Sequence, residues 1–201
     1  MTAVTATHAA PGDGAPRVLR AADRRGSAWK NGGGVTREIA AWPEGAGTDG
    51  FAWRVSLADV AADGPFSGFP GVDRTLTLVE GAGMDLTVAA QPRRVDERFV
   101  PQDFPGDAAT DCRLLGGPVR NFNVMYRRSG VLAQTAVVRG RLALAAAPGE
   151  TLLVVALSGR AAVEVSPGPA VELGPYDALL ATGPFGGLAR TSGHLAVVRF
   201  A

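Results

Sequence analysis

Turn-forming residues recur along this chain so regularly that long helices have no room between them. Glycine (27 residues) and proline (14) are spread from end to end. Glycine gives up the most backbone entropy on folding, and proline removes an amide donor. Between them lie short apolar runs at intervals of about ten residues, the pattern of an all-β chain. The expected strands cover 35–41, 51–57, 74–80, 84–89, 113–115, 121–126, 134–138, 151–156, 161–165, 178–181 and 195–200. Residues 59–62 read as one helical turn. The polar, proline-bearing stretch 92–111 reads as a long loop.

One internal similarity organises these strands. Leu78-Val79-Glu80-Gly81-Ala82-Gly83-Met84-Asp85-Leu86-Thr87-Val88 aligns with Val155-Ala156-Leu157-Ser158-Gly159-Arg160-Ala161-Ala162-Val163-Glu164-Val165. Each is strand, small-residue turn, strand, as expected of two similar β-modules in tandem. Barrels or jelly rolls would protect the edge strands by closure. The expected division is a disordered tail over 1–16, a first module over 17–130 and a second over 131–201, with strands exchanged between the modules.

Bulk properties exclude several functions. A net charge of +1 supplies no field to draw nucleic acid or an acidic membrane, so neither is an expected partner. A lone cysteine, Cys112, precludes an intrachain disulfide and fits a reducing cytoplasm. No apolar run approaches the ~18 residues of a membrane helix. No Lys or Arg precedes Arg17, which argues against a signal peptide. Cytoplasmic localisation is therefore expected. Imidazole is scarce: His8 and His194 are the two histidines, too few for the histidine-rich metal centre of an enzymatic β-barrel. No metal or cofactor is expected. Phosphate-loop and nucleophile-elbow motifs are missing too.

Four blocks carry the remaining chemistry. In Trp29-Lys30-Asn31-Gly32-Gly33-Gly34, the glycines allow a nest of backbone amides for an anion, or simply a hairpin turn plugged by Trp29. Thr36 and Glu38 share one face of the following strand. In Phe51-Ala52-Trp53-Arg54-Val55-Ser56, alternation separates Phe51, Trp53 and Val55 from Arg54 and Ser56. Arg54 offers a planar fork for a carboxylate, against the rival of an ion pair with Glu38 or Asp73. Phe66 and Phe69 sit on rigid Gly/Pro turns and either close a pocket or pack between modules. Asp73-Arg74 offers a charge pair at a strand entrance. Asn121 and Asn123 share a strand face, where a carboxamide pair reads donors and acceptors or caps turns.

With these blocks the chain resembles the HutD/Ves family. The match rests on Trp29 to Gly34 with Thr36, Glu38 and Ile39, on Phe51 and Trp53-Arg54-Val55-Ser56, and on Asp63-Gly64-Pro65-Phe66-Ser67. It continues through Phe69-Pro70-Gly71, Asp73-Arg74, Phe104, Gly106 and Asn121-Phe122-Asn123-Val124-Met125 with Arg127-Arg128. Asn121 stands where the pattern leads one to expect aspartate. The resemblance implies a bicupin of two β-barrel modules without metal-binding histidines, and a role linked to histidine utilisation. It settles no catalytic residues.

The leading expectation is a metal-independent protein binding a small anionic metabolite, a carboxylate of the urocanate or formiminoglutamate type, as a sensor or regulator. Lys30, Arg54 and Arg74 would meet the carboxylate, and Asn31, Thr36, Glu38, Ser56, Asp73 and Asn123 would orient the rest. Trp53 or Phe66 would stack on it. The rival is a metal-free isomerase, lyase or hydrolase with Glu38 or Asp73 as general base. The second half, mostly Ala, Val, Leu and Gly, would serve as packing surface or homodimer interface.

Overall fold

The computed structural model describes residues 14–165 and 168–201. A first series of strands comprises β1 (Gly14–Leu19), β2 (Gly26–Ala28), β3 (Gly34–Trp42), β4 (Trp53–Val60), β5 (Gly64–Pro65), β6 (Val72–Glu80), β7 (Met84–Val88), β8 (Gln91–Val95), β9 (Pro101–Pro105), β10 (Thr110–Leu114) and β11 (Val119–Arg127). A second comprises β12 (Ala133–Ala146), β13 (Thr151–Ser158), β14 (Ala161–Val165), β15 (Val171–Leu173), β16 (Ala178–Thr182) and β17 (Phe185–Phe200). The only helical element among the described residues is a 3-10 turn, Ala21–Asp23. No described helix is long and apolar enough to cross a membrane.

Every expected strand overlaps an observed one, but two expectations fail. Residues 59–62 are not helical, since Asp59 and Val60 end β4. The expected loop 92–111 holds most of β8, all of β9 and the start of β10. Its prolines misled because β8 and β9 are the terminal strands of their sheets, where a missing amide donor costs little. Residues 1–13 of the expected tail lie outside the described residues, while Gly14 already belongs to β1.

Two modules follow one strand plan. In the first, a six-stranded sheet (β2-β3-β4-β11-β6-β9) faces a four-stranded one (β5-β10-β7-β8). Here β6 lies between β11 and β9, and β7 lies between β10 and β8. In the second, β13 lies between β17 and β16, and β14 lies between β17 and β15. The pairings correspond one for one if the 16-residue β17 does the work of β10 and β11 together. The architecture is all-β and cupin-like, and the aligned repeat marks equivalent hairpins, β6–β7 and β13–β14. β1 adds to the open edge of β16, so the start of the chain completes the second module's sheet.

The modules meet face to face. Trp53, Val55 and Leu57 of β4, with Phe122 and Val124 of β11, pack against Leu153, Val155, Ala196, Val198 and Phe200. Trp53 stacks on Phe200 with ring centroids 4.3 Å apart. A polar seam flanks this core: Tyr176 donates to Glu80, Arg120 lies 5.3 Å over the Tyr176 ring, and Asp59 pairs with both Arg120 and Arg37. Burial pushes the Tyr176 hydroxyl pKa up, and Glu80 beside it adds to the effect.

Candidate functional site

Strand alternation turns the other face of β4, β6 and β11 into the first module. At one end that interior is closed by Val60, Leu76, Leu78, Met84, Leu86 and Val119. At the other it opens in a cleft of about 680 Å³. Register sets the floor. Arg54 and Arg74 flank Met125, and Ser56 and Leu76 flank Asn123. Thr36 stands across Ala58 from β3. Exposed Lys30 and Asn31, with Phe66 and Phe69, complete the wall.

Arg74 is the unusual group. It is only 8% exposed, yet among the described residues no carboxylate pairs with it. Phe104, Phe66 and Phe69 stack around its guanidinium at 5.2, 5.3 and 5.9 Å from their ring centroids. Among the described residues its one side-chain hydrogen bond is a long one, 3.5 Å, to Asn123 Oδ1, and its Nε finds no acceptor. Burial pulls its pKa down to about 10. Aromatic faces attract a cation but do not accept its N–H bonds in the plane of the fork. The group is thus held, desolvated, beside a cleft, with donors to spare.

Arg54 differs. Its Nε donates to Glu38 Oε2 at 2.7 Å, the ion pair weighed from the sequence, yet the side chain still lines the cleft. Glu38 does not line it and acts there through Arg54. Trp53 is a correction: it lies in the core between modules, because Arg54 and Ser56 take the cleft side and alternation sends Trp53 the other way. Asp73 is another, since it faces away from Val72 and Arg74 and accepts from Arg128 at 2.7 Å. Both general-base candidates are therefore engaged by arginines. The glycine nest does not form for a ligand either. Gly32 N–H donates to Trp29 O and Gly33 N–H to Asn31 Oδ1. Gly34 instead permits close packing, as a Cβ there would sit 2.4 Å from Asp59 O.

Of the expected ligand residues, the structure brings Lys30, Asn31, Thr36, Arg54, Ser56, Phe66, Arg74 and Asn123 to the cleft. Trp29, Asp49, Phe69, Met125 and Arg127 line it as well, though none was expected to bind ligand. Trp29 holds Thr36 through Nε1–H (2.8 Å) and meets Phe66 edge-on at 6.2 Å. Met125 was legible, being on the Asn123 face two residues on. Phe104, against Arg74, was quoted for the family resemblance but given no place in the site, because it fell in the misread loop. No group of three His, Cys, Asp or Glu side chains placed to hold a metal exists among the described residues.

A profile of the HutD family matches residues 21–197. A 21.2 kDa protein from Pseudomonas putida, named for the hutC 3′ region, is 39% identical over 81% of this chain and 85% of its own length. Protein Ves of Citrobacter koseri is 38% identical over 54% of this chain and 56% of its own length. Among solved structures, HutD from Pseudomonas fluorescens SBW25 is 35% identical, with a TM-score of 0.81 over 93% of this chain and 98% of that one. A cupin 2 barrel protein from Leptotrichia buccalis shares the fold at 11% identity, with a TM-score of 0.54 over 83% of this chain and 88% of that one.

Proposed function

The chain belongs to the HutD family, and from that premise we propose that its first module binds a small carboxylate metabolite, without a metal, as a sensor or regulator linked to histidine utilisation. The observation that carries this reading is Arg74, buried and lacking a carboxylate partner among the described residues beside an open cleft. A desolvated guanidinium gains most from an anion that restores its hydrogen bonds, and the charge-assisted bonds so formed are strong. Phe66 and Phe69 hold the fork from the side, and Asn123 and Ser56 offer neutral partners for the rest of the ligand. Lys30 and the free edge of Arg54 supply further positive charge at the mouth. Urocanate and formiminoglutamate are the candidates that the family's link to histidine utilisation favours.

The test is a thermal-shift and calorimetric screen against histidine, urocanate, formiminoglutamate, glutamate and formate. A ligand of the native state raises the melting temperature by mass action. The expected result is a shift with at least one carboxylate that disappears in Arg74→Met. No shift with any, or a shift that survives Arg74→Met, would count against the reading.

A further inference from the structure

The carboxamide of Asn121 lies on the cleft-side face of β11, behind the lining residues Ala58 and Asn123 and not itself lining the cleft. Asn121 is 1% exposed, and neither its Oδ1 nor its Nδ2 has a hydrogen-bond partner. Alternation puts it on the face of Asn123 and Met125, both of which line the cleft. Its neighbours across the strands are Ala58, also a lining residue, and Leu78. Beyond it the interior is closed by apolar side chains, Val119 among them. A buried donor and acceptor left unmade are costly, and a leucine of similar size would avoid the cost. Its register neighbour on β4 is the small Ala58, which itself lines the cleft.

A carboxamide is satisfied at both ends by a planar group that sets an N–H beside an acceptor on one edge, as a primary amide or an amidine does. A bare carboxylate cannot do this, since it has no proton for Oδ1. Arg74 reaches Asn123, and residues two apart on a strand are about 7 Å apart. We propose that Asn121 is the inner specificity residue of the cleft, and that the ligand is a carboxylate bearing an amide- or amidine-like donor–acceptor pair at about that distance. Arg74 takes the carboxylate and Asn121 the far end. The inference rests on the carboxylate reading above and adds the second half of the ligand.

The test compares 6-amino-6-oxohexanoate, whose primary amide sets an N–H beside its carbonyl, with heptanoate, which has the same chain length and no amide. Calorimetry on the full chain, Asn121→Leu and Arg74→Met reads both ligands. The unsubstituted protein should prefer the amide by at least ~10-fold, because a site built for hydrogen bonds rejects the analogue lacking them. Asn121→Leu should erase that preference while melting higher than the parent without ligand. Should the leucine variant fail to fold, Asn121→Ala should erase the preference without the gain in melting temperature. An unchanged preference in either variant overturns the proposal. So does the absence of any preference in the unsubstituted protein when Arg74→Met still abolishes binding of both acids. If neither acid binds, or Arg74→Met binds both as the parent does, the carboxylate reading itself falls and takes this one with it.

Discussion

The two modules share a strand plan and differ in what fills it. Inside the second, Leu152, Val154, Leu173, Leu179, Ala181 and Leu195 meet in a closed apolar core. Inside the first, the same strand positions are divided between an apolar end and a cleft floored by Arg54, Ser56, Arg74 and Asn123. The plan does not decide between storage of stability and recognition; the identity of alternate residues on β4, β6 and β11 does. The cleft lies in one copy, and the other packs against it through the core between them.

Substitutions can break this contrast. The largest stability effect should come from the filled module. Leu179→Ala is expected to cost about 2–5 kcal/mol in urea unfolding, because Leu179 is 1% exposed in a core with little room to collapse. A loss below ~1 kcal/mol would mean the second module is loosely packed. In the hollow module the effect should move from stability to binding. Arg74→Met should weaken carboxylate binding by about 1.5–3 kcal/mol, the worth of hydrogen bonds to a charged group. Its urea midpoint should hold or rise, since a desolvated cation is removed.

The seam between modules should show itself through pH. Burial works against the Asp59 carboxylate, but the hydrogen bonds and charges of Arg120 and Arg37 prevail and hold its pKa below the ordinary value. A carboxyl depressed in the folded state stabilises above its unfolded pKa and loses that contribution as pH falls through the folded pKa. Asp59→Asn should therefore destabilise by about 1–2 kcal/mol near neutrality and by progressively less in acid. Equal destabilisation at pH 7 and pH 2 would show that the bridging charge is not what matters. The smallest change is expected from Glu38→Gln. The half-exposed pair with Arg54 should contribute under ~1 kcal/mol to stability. Freed of its carboxylate, Arg54 should bind added carboxylates a few-fold more tightly by calorimetry. Weaker binding would show that Glu38 positions Arg54 for the ligand.

Much of this was legible from the residues. Alternation in Phe51 to Ser56 separated Arg54 from Trp53 correctly, because both faces of β4 are covered and the period of two is clean. The same alternation could not say which face met the cleft, since a second module covering Trp53 is a tertiary fact. Asp73 was placed in the site because it adjoins Arg74 in sequence, and neighbours on a strand point to opposite faces. β9, and with it the place of Phe104 against Arg74, was lost to prolines that an edge strand tolerates. The paired asparagines read from the sequence either as readers of donors and acceptors or as turn caps. Only burial revealed that Asn121 is the one left unsatisfied.

The pairing of β1 with β16 has a consequence for biosynthesis. Leu19 leaves the ribosome long before its partner Ala178. Closing so long a loop adds only logarithmically to the entropic cost, so the delay concerns time more than stability. Until β16 emerges, β1 has no sheet to join, and the face carrying Trp53, Phe122 and Val124 waits for its cover. The nascent chain should thus expose its stickiest surface while the cleft module is already translated. No single cut in the finished protein would release that module with both ends free of the other.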